Sequence, residues 1–233
     1  DYYSKFKNAD EAVKVVKSGD TVAYGEFVMV SKYLDAALAE RISELNNITL
    51  RATSCPFPPK VVLADPKMER VTYNDWHFSG ASRKLSDQNL CRYIPLNYHV
   101  GPNILKSGLV GKVDVAMFMM GPPDENGYIN LGTSSSITPE YISVAKHVIV
   151  EINENIPYCF SDESCRIHVS QIDCFVQGPN SPLIEVPSPP PTEVDKKIAE
   201  LVVNQICDGA CIQLGIGAMP NAVGTLIHKG VEV

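Results

Sequence analysis

The sequence predicts an α/β protein built on an open, largely parallel β-sheet with helices on both of its faces. Short apolar strand patterns alternate with amphipathic helix patterns along most of the chain. Several of the strand patterns are almost continuously apolar, which is typical of strands covered on both faces of a sheet. With 233 residues, 45% apolar and 20% charged, the chain has the composition of a globular protein.

The opening of the chain predicts the order helix, strand, helix, strand. Gly19-Asp20 ends the first helix, Ser31 is the predicted N-cap of the second, and Asn46-Asn47 ends that helix. These four elements cover residues 10–18, 21–24, 32–45 and 48–53. Further strands, with helices between several of them, are predicted over residues 70–73, 113–119, 147–152 and 166–175.

A proline-rich segment over residues 179–191 separates two predicted domains, because polyproline sequence is stiff and extended. Thr192 and Glu193 then open a helix through about Ile206, and residues 210–214 predict a strand. Both units begin with a helix, a strand closed by glycine and another helix, which indicates a duplication, although unrelated α/β units can also begin in this way. We predict an N-terminal domain over 1–178, a linker over 179–191 and the truncated beginning of a second, similar domain over 192–233.

Composition and charge exclude several classes of partner. The net charge of −7 and the absence of a basic stripe argue against a nucleic-acid surface. The apolar runs are shorter than the roughly 20 residues that a membrane helix needs, so we expect no membrane association. The N-terminal residues have no secretory signal pattern, and the odd number of seven cysteines suits reduced thiols. We therefore expect a cytoplasmic protein.

A glycine-rich run over residues 213–223 is the most informative motif. Gly215 and Gly217 lie between an apolar segment and a helix, where glycine lets a ligand approach the main chain. The helix that follows presents unpaired N–H groups and the positive end of its dipole, which together bind anions. The motif departs from the dinucleotide fingerprint at Pro220, which instead suits a first helical turn. An anion-binding loop and a purely structural turn both fit the pattern.

A second loop, over residues 121–132, follows a strongly apolar strand. It lies where α/β sheets place ligands, beyond the carboxyl end of a strand. Asn126-Gly127 is a tight-turn signal, and residues 128–131 alternate like a short strand. A ligand-binding loop and a simple hairpin both remain open.

Other polar residues give weaker signals. Cys159, Cys165, His168 and Cys174 have gaps that match no common zinc spacing, and residues 168–174 resemble one strand, so we expect no metal. Glu26 could serve as a site carboxylate, but its place in a loop predicts an exposed, solvated side chain. The remaining histidines form no nucleophile-and-base arrangement that the sequence can assemble and are given no role: His77, His99, His147 and His228.

Several motifs in the same order resemble the acetyl-CoA hydrolase/transferase family, in particular the 4-hydroxybutyrate and butyrate CoA-transferases. The family has a Pro-Pro-Asp-x-x-Gly-Tyr loop and a Leu-Gly turn, here residues 122–128 and 131–132. The remaining shared segments are the strand at 148–153, the His-Val-Ser-x-Ile-Asp segment at 168–173, a proline linker and the glycine run at 214–223. The resemblance covers residues 120–227, while residues 1–119 agree in arrangement with looser motifs.

The resemblance implies two similar domains of the CoA-transferase fold with the active site between them. It also implies a homo-oligomer that acts on acyl-CoA and small carboxylic acids, with coenzyme A as a substrate and no metal. A glutamate would attack the thioester, form an acyl-glutamyl anhydride and then carry CoA as a glutamyl thioester, because a carboxylate nucleophile must be held dry and oriented. In this family the loop matching the following residues contacts CoA: Gly215, Ile216, Gly217, Ala218 and Met219.

One departure from the family pattern concerns the nucleophile. The family glutamate lies in a His-Thr-Glu-Met-like motif after the helix that follows the glycine loop, and Glu232 does not match that motif. We therefore expect the nucleophile beyond Val233, assign no catalytic residue, and expect the 233 residues alone to be inactive. An acetyl-CoA hydrolase of the same family, or a non-catalytic fragment that binds acyl-CoA or a nucleotide, remains an alternative.

Overall fold

The computed structural model describes residues 2–185 and 189–230 and, for residues 228–230, the backbone alone. The chain separates into two compact units, Asp1–Leu183 and Ile184–Val233. The first unit contains the sheet and is an α/β domain, as predicted. The assignment of residues 179–191 to a linker stays a prediction, and residues 186–188 of that segment lie outside the described residues.

The main sheet of the first unit has seven strands, and every pair of neighbours is parallel. Its spatial order is β4-β3-β2-β1-β5-β7-β9. The strands are β1 (Thr21–Glu26), β2 (Ile48–Thr53), β3 (Val71–Asp75), β4 (Arg92–Tyr93), β5 (Val115–Met120), β7 (His147–Ile152) and β9 (Cys174–Gln177). All six residues of β5 are buried, as expected for a central strand covered on both faces.

Helices cover both faces of this sheet, which confirms the predicted layering. One apolar core contains Val22 and Leu50 from the strands together with Leu34 and Leu38 from a helix. The opposite core contains Ala23 and Phe118 from the strands, together with side chains from two other helices. The helices of this unit are α1 (Ala9–Ala12), α2 (Lys32–Glu40), α3 (Lys60–Leu63), α4 (Gly80–Ser86), α5 (Gly101–Lys106) and α6 (Thr138–Val144).

The predicted N-cap of α2 is confirmed. The Ser31 hydroxyl accepts a hydrogen bond from the Leu34 amide at 2.9 Å and donates one to Glu151 Oε2 at 2.5 Å. Glu151 lies on β7, so one serine both begins the helix and ties it to the sheet. The helix predicted over residues 10–18 is shorter than expected, because α1 passes into a 3-10 turn at Val13–Val15.

The prediction of one strand over residues 166–175 is wrong. β8 (Arg166–His168) ends at a 3-10 turn, Val169–Gln171, and β9 starts at Cys174. β8 leaves the main sheet and pairs antiparallel with β6 (Tyr128–Asn130), whereas β9 joins β7 in parallel. The apolar alternation shifts its phase by one residue between Val169 and Ile172, but this shift alone could not reveal that two different sheets share the segment.

The second unit contains α7 (Glu193–Val203) and α8 (Ala218–Gly230). Thr192 caps α7 with a capping box that includes Asp195, in agreement with the predicted start. The strand predicted over residues 210–214 is absent from the described structure, and these residues lie mostly exposed between the two helices. A strand needs a neighbouring strand for its backbone hydrogen bonds, and the described part of this unit offers none.

Gly132 should be hard to replace. Its φ is +64°, and a Cβ there would lie 2.6 Å from Ile156 Cγ2. We expect Gly132→Ala to lower the free energy of unfolding by about 2–4 kcal/mol, since left-handed strain adds to a steric clash. Gly108→Ala is the matched control, because Gly108 has a φ of +70° and open space around it. Urea unfolding should show a clearly smaller loss for the control, and equal losses would contradict the clash.

Candidate functional site

Polar side chains meet at the carboxyl edge of the main sheet. β1, β2 and β3 end with Glu26, Thr53 and Asp75, and all three side chains are buried. Glu26 is the register partner of Thr53, and Asp75 is the partner of Ala52 one residue earlier. Because parallel strands end at the same edge, the fold brings together three polar groups that are distant in sequence.

Glu26 corrects one sequence prediction. The residue was expected to be exposed in a loop, but β1 continues through it and leaves it only 1% exposed. The Tyr98 hydroxyl donates a hydrogen bond to Glu26 Oε2, while Glu26 Oε1 has no partner among the described residues. The sequence pattern missed this site because Tyr98 lies 72 residues further along the chain.

Burial controls the ionisation of Glu26. Loss of hydration raises the pKa of this carboxyl group to about 8, and the nearby charge of Asp75 adds to the increase. The nearby Thr53 hydroxyl lowers the pKa of Glu26, which opposes the effect of burial. The distance and angle between Thr53 Oγ1 and Glu26 Oε1 do not meet the criteria for a hydrogen bond. The Glu26 carboxyl group is therefore mainly protonated at neutral pH and can donate a hydrogen bond.

A cavity of about 390 Å³ adjoins these strand ends. Its walls combine large aromatic and aliphatic side chains with a few polar groups at defined positions, which is the usual composition of a small-molecule site. The lining residues are Phe27, Thr53, Trp76, His77, Tyr93, Leu96, Tyr98 and Ser136. Thr53 contributes a buried hydroxyl oxygen without a hydrogen-bond partner among the described residues.

Backbone strain is concentrated around this cavity. Phe27 and Ser136 line it, and their φ angles are +48° and +46°. Ser54, which directly follows Thr53, has a φ of +52°. Residues other than glycine rarely adopt this left-handed conformation, and such strain tends to occur at functional sites.

A hydrogen-bond network fixes the rim of the cavity. Asp75 Oδ1 accepts from the amides of Ser54 and His77 at 3.1 and 3.0 Å, and Tyr73 donates to Asp75 Oδ2 at 3.1 Å. The Ser54 hydroxyl lies 2.5 Å from His77 Nδ1. Burial raises the pKa of Asp75, and these hydrogen bonds oppose that shift. The network holds the turns after β2 and β3 in a defined geometry.

Two more buried polar groups lie near the same region. Arg51 contacts the Trp76 ring, with 5.8 Å between Cζ and the ring centroid, and donates to Val110 O at 2.6 Å. Arg51 Nη1 and the Tyr141 hydroxyl have no hydrogen-bond partner among the described residues. Arg51 also forms no ion pair within the described part of the chain. Neither Arg51 nor Tyr141 lines the cavity.

The glycine loop lies in the second unit, immediately before α8. Gly217 has a φ of +144°, a conformation that favours glycine, and its carbonyl accepts from the Asn221 amide in the first turn. A Cβ at Gly215 or Gly217 would meet only Pro220, at 3.9 and 3.7 Å. In the described structure, the amides of Ile216, Gly217, Ala218 and Met219 donate no hydrogen bond to the protein. The loop therefore offers free backbone donors at the start of a thirteen-residue helix.

Contacts within the protein hold the loop over residues 121–132 in its conformation. Asp124 Oδ1 accepts from the amides of Asn126 and Tyr128, both at 2.9 Å, and Gly127 has a φ of +81°. Arg166 pairs with Asp124 at 2.9 Å and lies over the Tyr128 ring. β6 pairs with β8 and not with the preceding β5, so the loop is not a hairpin between neighbouring strands.

The described residues show no metal centre and no membrane span. No group of three or more His, Cys, Asp or Glu side chains in the described part could hold a metal ion. Cys165 is 3.2 Å from Ser135 Oγ, His168 Nδ1 is 2.8 Å from Ser170 Oγ, and all seven cysteines are free. No described helix is both long and apolar enough to cross a bilayer.

Comparison with known proteins identifies the family. The acetyl-CoA hydrolase/transferase N-terminal domain family matches residues 1–187. The chain belongs to the acetyl-CoA hydrolase/transferase family. The predicted resemblance is thereby confirmed, and it extends over the first 119 residues, where the motifs were looser.

Curated relatives match this chain over nearly its whole length. A butyryl-CoA:acetate CoA-transferase of Anaerostipes caccae is 42% identical over 98% of this chain and 51% of its own length. A probable butyrate:acetyl-CoA coenzyme A-transferase of Syntrophomonas wolfei is 36% identical over 97% of this chain and 50% of its own length. The chain thus spans about half the length of the curated relatives it matches.

A solved structure shows the same fold. The crystal structure of RipA from Yersinia pestis has a TM-score of 0.87 and 26% sequence identity, covering 97% of this chain and 54% of its own. The α/β architecture of this family member therefore agrees with an experimentally determined relative.

The buried carboxyl group of Glu26 predicts a pH-dependent stability. Its folded pKa of about 8 lies above the ordinary pKa of a free glutamate, 4.5, so the folded state keeps a proton that the unfolded chain has released between these pH values. This group therefore lowers the free energy of unfolding by up to about 1.4 kcal/mol per pH unit as the pH rises through that window. Glu26→Gln should remove this slope in urea unfolding at about pH 5 to 8. Glu69→Gln, at an exposed glutamate, is the control, and parallel pH profiles for wild type and Glu26→Gln would contradict the prediction.

Proposed function

We propose that this protein is a CoA-transferase that moves CoA between an acyl-CoA of the butyryl or 4-hydroxybutyryl type and a small carboxylic acid such as acetate. The glycine loop before α8 carries this proposal, because its unpartnered amides and open backbone suit the anionic groups of CoA. The names of the two CoA-transferase relatives, which match nearly the whole chain, support the same reaction. We further propose a cytoplasmic homo-oligomer.

The residues proposed to bind CoA are those of the glycine loop. Gly215 and Gly217 leave the main chain open, and Ala218 and Met219 present amides at the positive end of the α8 dipole. Ile216 is 77% exposed and available to pack against the ligand. The loop binds the CoA group of the substrate and requires no metal.

The proposed transfer of CoA proceeds through a glutamyl-CoA thioester formed on the enzyme. A glutamate carboxylate attacks the thioester carbonyl and releases CoA thiolate, which then attacks the acyl-glutamyl anhydride and releases the carboxylate product. A second carboxylate then attacks the glutamyl thioester and releases CoA thiolate. The thiolate attacks the new anhydride, which gives the second acyl-CoA and restores the free glutamate. The nucleophile is expected after Val233. Glu26 is buried, and protonation at neutral pH weakens it as a nucleophile, so it is not assigned this role.

Acetyl-CoA hydrolysis is the second candidate, because the family includes hydrolases and transferases. The two reactions differ in whether water or a carboxylate accepts the acyl group. A fragment that binds acyl-CoA or a nucleotide without catalysis would use the same loop.

The transfer reaction can be tested on the natural gene product, including any residues that follow Val233. We expect CoA to move from butyryl-CoA or 4-hydroxybutyryl-CoA to acetate, and borohydride to trap a glutamyl thioester. Release of free CoA without acetyl-CoA would indicate a hydrolase. Absence of both transfer and trapped adduct would refute the proposed mechanism.

Gly217→Val should weaken CoA binding by about tenfold or more, because the side chain fills the backbone approach and is strained at positive φ. Calorimetric titration with CoA measures this change. Gly209→Val is the matched control: Gly209 also has a positive φ, lies in the same unit and has open space around it. An unchanged affinity for Gly217→Val, or an equal loss for the control, would contradict the proposed contact with CoA and would indicate that the loop has a structural role only.

A further inference from the structure

We propose that another cavity of the first unit binds a small organic cation that carries a methylated ammonium group. This cavity, called the aromatic cleft below, has a volume of about 520 Å³ and is lined by residues of the first unit only. It shares no lining residue with the cavity at the ends of β1 and β2, and the glycine loop does not contribute to it. The cleft is therefore a separate binding site, and its assignment does not depend on the proposed transfer of CoA.

The aromatic cleft lies at the carboxyl edge of the main sheet, on the side formed by β5, β7 and β9. It is lined by Ile152 at the end of β7, by Gln177 at the end of β9 and by residues 122–125 of the loop that follows β5. These three strands are parallel neighbours, so their carboxyl ends meet at one edge. Ligands of parallel α/β sheets bind outside this edge.

Three aromatic side chains that precede α1 form much of the apolar surface of the cleft. Tyr2, Tyr3 and Phe6 all line it. The Tyr2 ring makes T-shaped contacts with the rings of Tyr3, Phe6 and Phe175, with 5.1, 5.0 and 4.7 Å between ring centroids. The face of an aromatic ring is negative and attracts cations. Rings that are already held by their neighbours lose little conformational entropy when a ligand binds.

The charged side chains that line the cleft are all acidic. They are Asp124, Glu125 and Glu154, and no Lys, Arg or His is among the described residues that line it. Asp124 is already compensated, because it pairs with Arg166 at 2.9 Å and accepts hydrogen bonds from two backbone amides. Glu125 and Glu154 form no ion pair within the described part of the chain. The cleft thus combines aromatic surface with two uncompensated carboxylates, which favours a cationic ligand.

A nearby lysine has a different role. Lys5 lies between Tyr3 and Phe6 in the sequence, but it does not line the cleft. Its ammonium group donates hydrogen bonds to the carbonyls of Val169 and Ile172 at 3.0 and 2.6 Å. Lys5 therefore holds the turn after β8 and leaves the acidic groups of the cleft to a cation from outside the chain.

The exposure of the two glutamates favours a methylated ammonium group over a primary one. A primary ammonium group is strongly hydrated, and it gives up that hydration only for well-placed acceptors. Glu125 and Glu154 are exposed, so they attract a cation through water and do not offer a buried acceptor. A methylated ammonium ion suits aromatic rings better, because its methyl groups contact the ring faces while its charge is attracted to them.

Three probes with the same skeleton test this assignment on the natural gene product. Choline carries a trimethylammonium group, 3,3-dimethyl-1-butanol has a neutral carbon in place of the nitrogen, and 2-aminoethanol lacks the methyl groups. We expect choline to bind about tenfold more tightly than either of the other two. Its affinity should fall as NaCl is raised from about 0.05 to 0.5 M, because salt screens the glutamates. Calorimetric titration measures these affinities without any transfer of CoA.

Substitutions separate the contribution of the rings from that of the charges. Tyr3→Leu should weaken choline binding about fivefold, whereas Tyr3→Phe keeps the ring face and should retain the affinity. The double variant Glu125→Gln, Glu154→Gln should weaken choline binding, reduce its salt dependence and leave the binding of the alcohol unchanged. The matched controls are Tyr158→Leu and Glu69→Gln, at an exposed tyrosine and an exposed glutamate that do not line the cleft.

The outcomes distinguish a cation site from other kinds of cavity. Circular dichroism confirms that each variant is folded. Preference for choline that is lost in Tyr3→Leu and kept in the two controls supports the proposal. Equal affinities for choline and the alcohol would indicate an apolar contact only, and tighter binding of 2-aminoethanol would indicate a site for primary amines. Either of these results, no binding of choline, or equal losses in the cleft variants and the controls would overturn the inference.

Discussion

The structure depends on one constraint: a parallel sheet whose central strands are covered on both faces. Such strands hold mainly apolar side chains along their length, so most of their polar groups lie at or near the strand ends. β1, β2 and β3 run in the same direction, which brings the polar groups at their ends to one edge: Glu26, Thr53 and Asp75. The layering that stabilises the domain is therefore also what creates the cluster beside the cavity.

That cluster is costly to the folded state. Glu26 loses its hydration, Thr53 and Glu26 each leave an oxygen without a partner in the described structure, and Phe27 and Ser54 take strained backbone angles. A stable domain tolerates such costs because two apolar cores lie on either side of the sheet. Their concentration at one cavity, with an ordered rim around Asp75, is the pattern expected of a binding site.

The family motifs divide into two physical classes. The Pro-Pro-Asp-x-x-Gly-Tyr loop is explained by its own structure. Asp124 accepts hydrogen bonds from two backbone amides and pairs with Arg166, while Gly127 provides the positive φ of the turn. The glycine loop differs, since its amides have no acceptor in the described protein and its glycines face open space. A motif that the fold does not use for its own hydrogen bonds is the better candidate for ligand binding.

The sequence by itself determined the α/β class, the parallel sheet, the N-caps at Ser31 and Thr192 and the family, because these follow from local periodicity, capping chemistry and ordered motifs. Tertiary structure alone decided the burial of Glu26, the division of residues 166–175 between two sheets and the absence of a strand over 210–214 in the described second unit. Each of these depends on a partner distant in sequence or on the lack of one. Local pattern carries no information about such partners, so the cavity beside Glu26 could be found only in the folded chain.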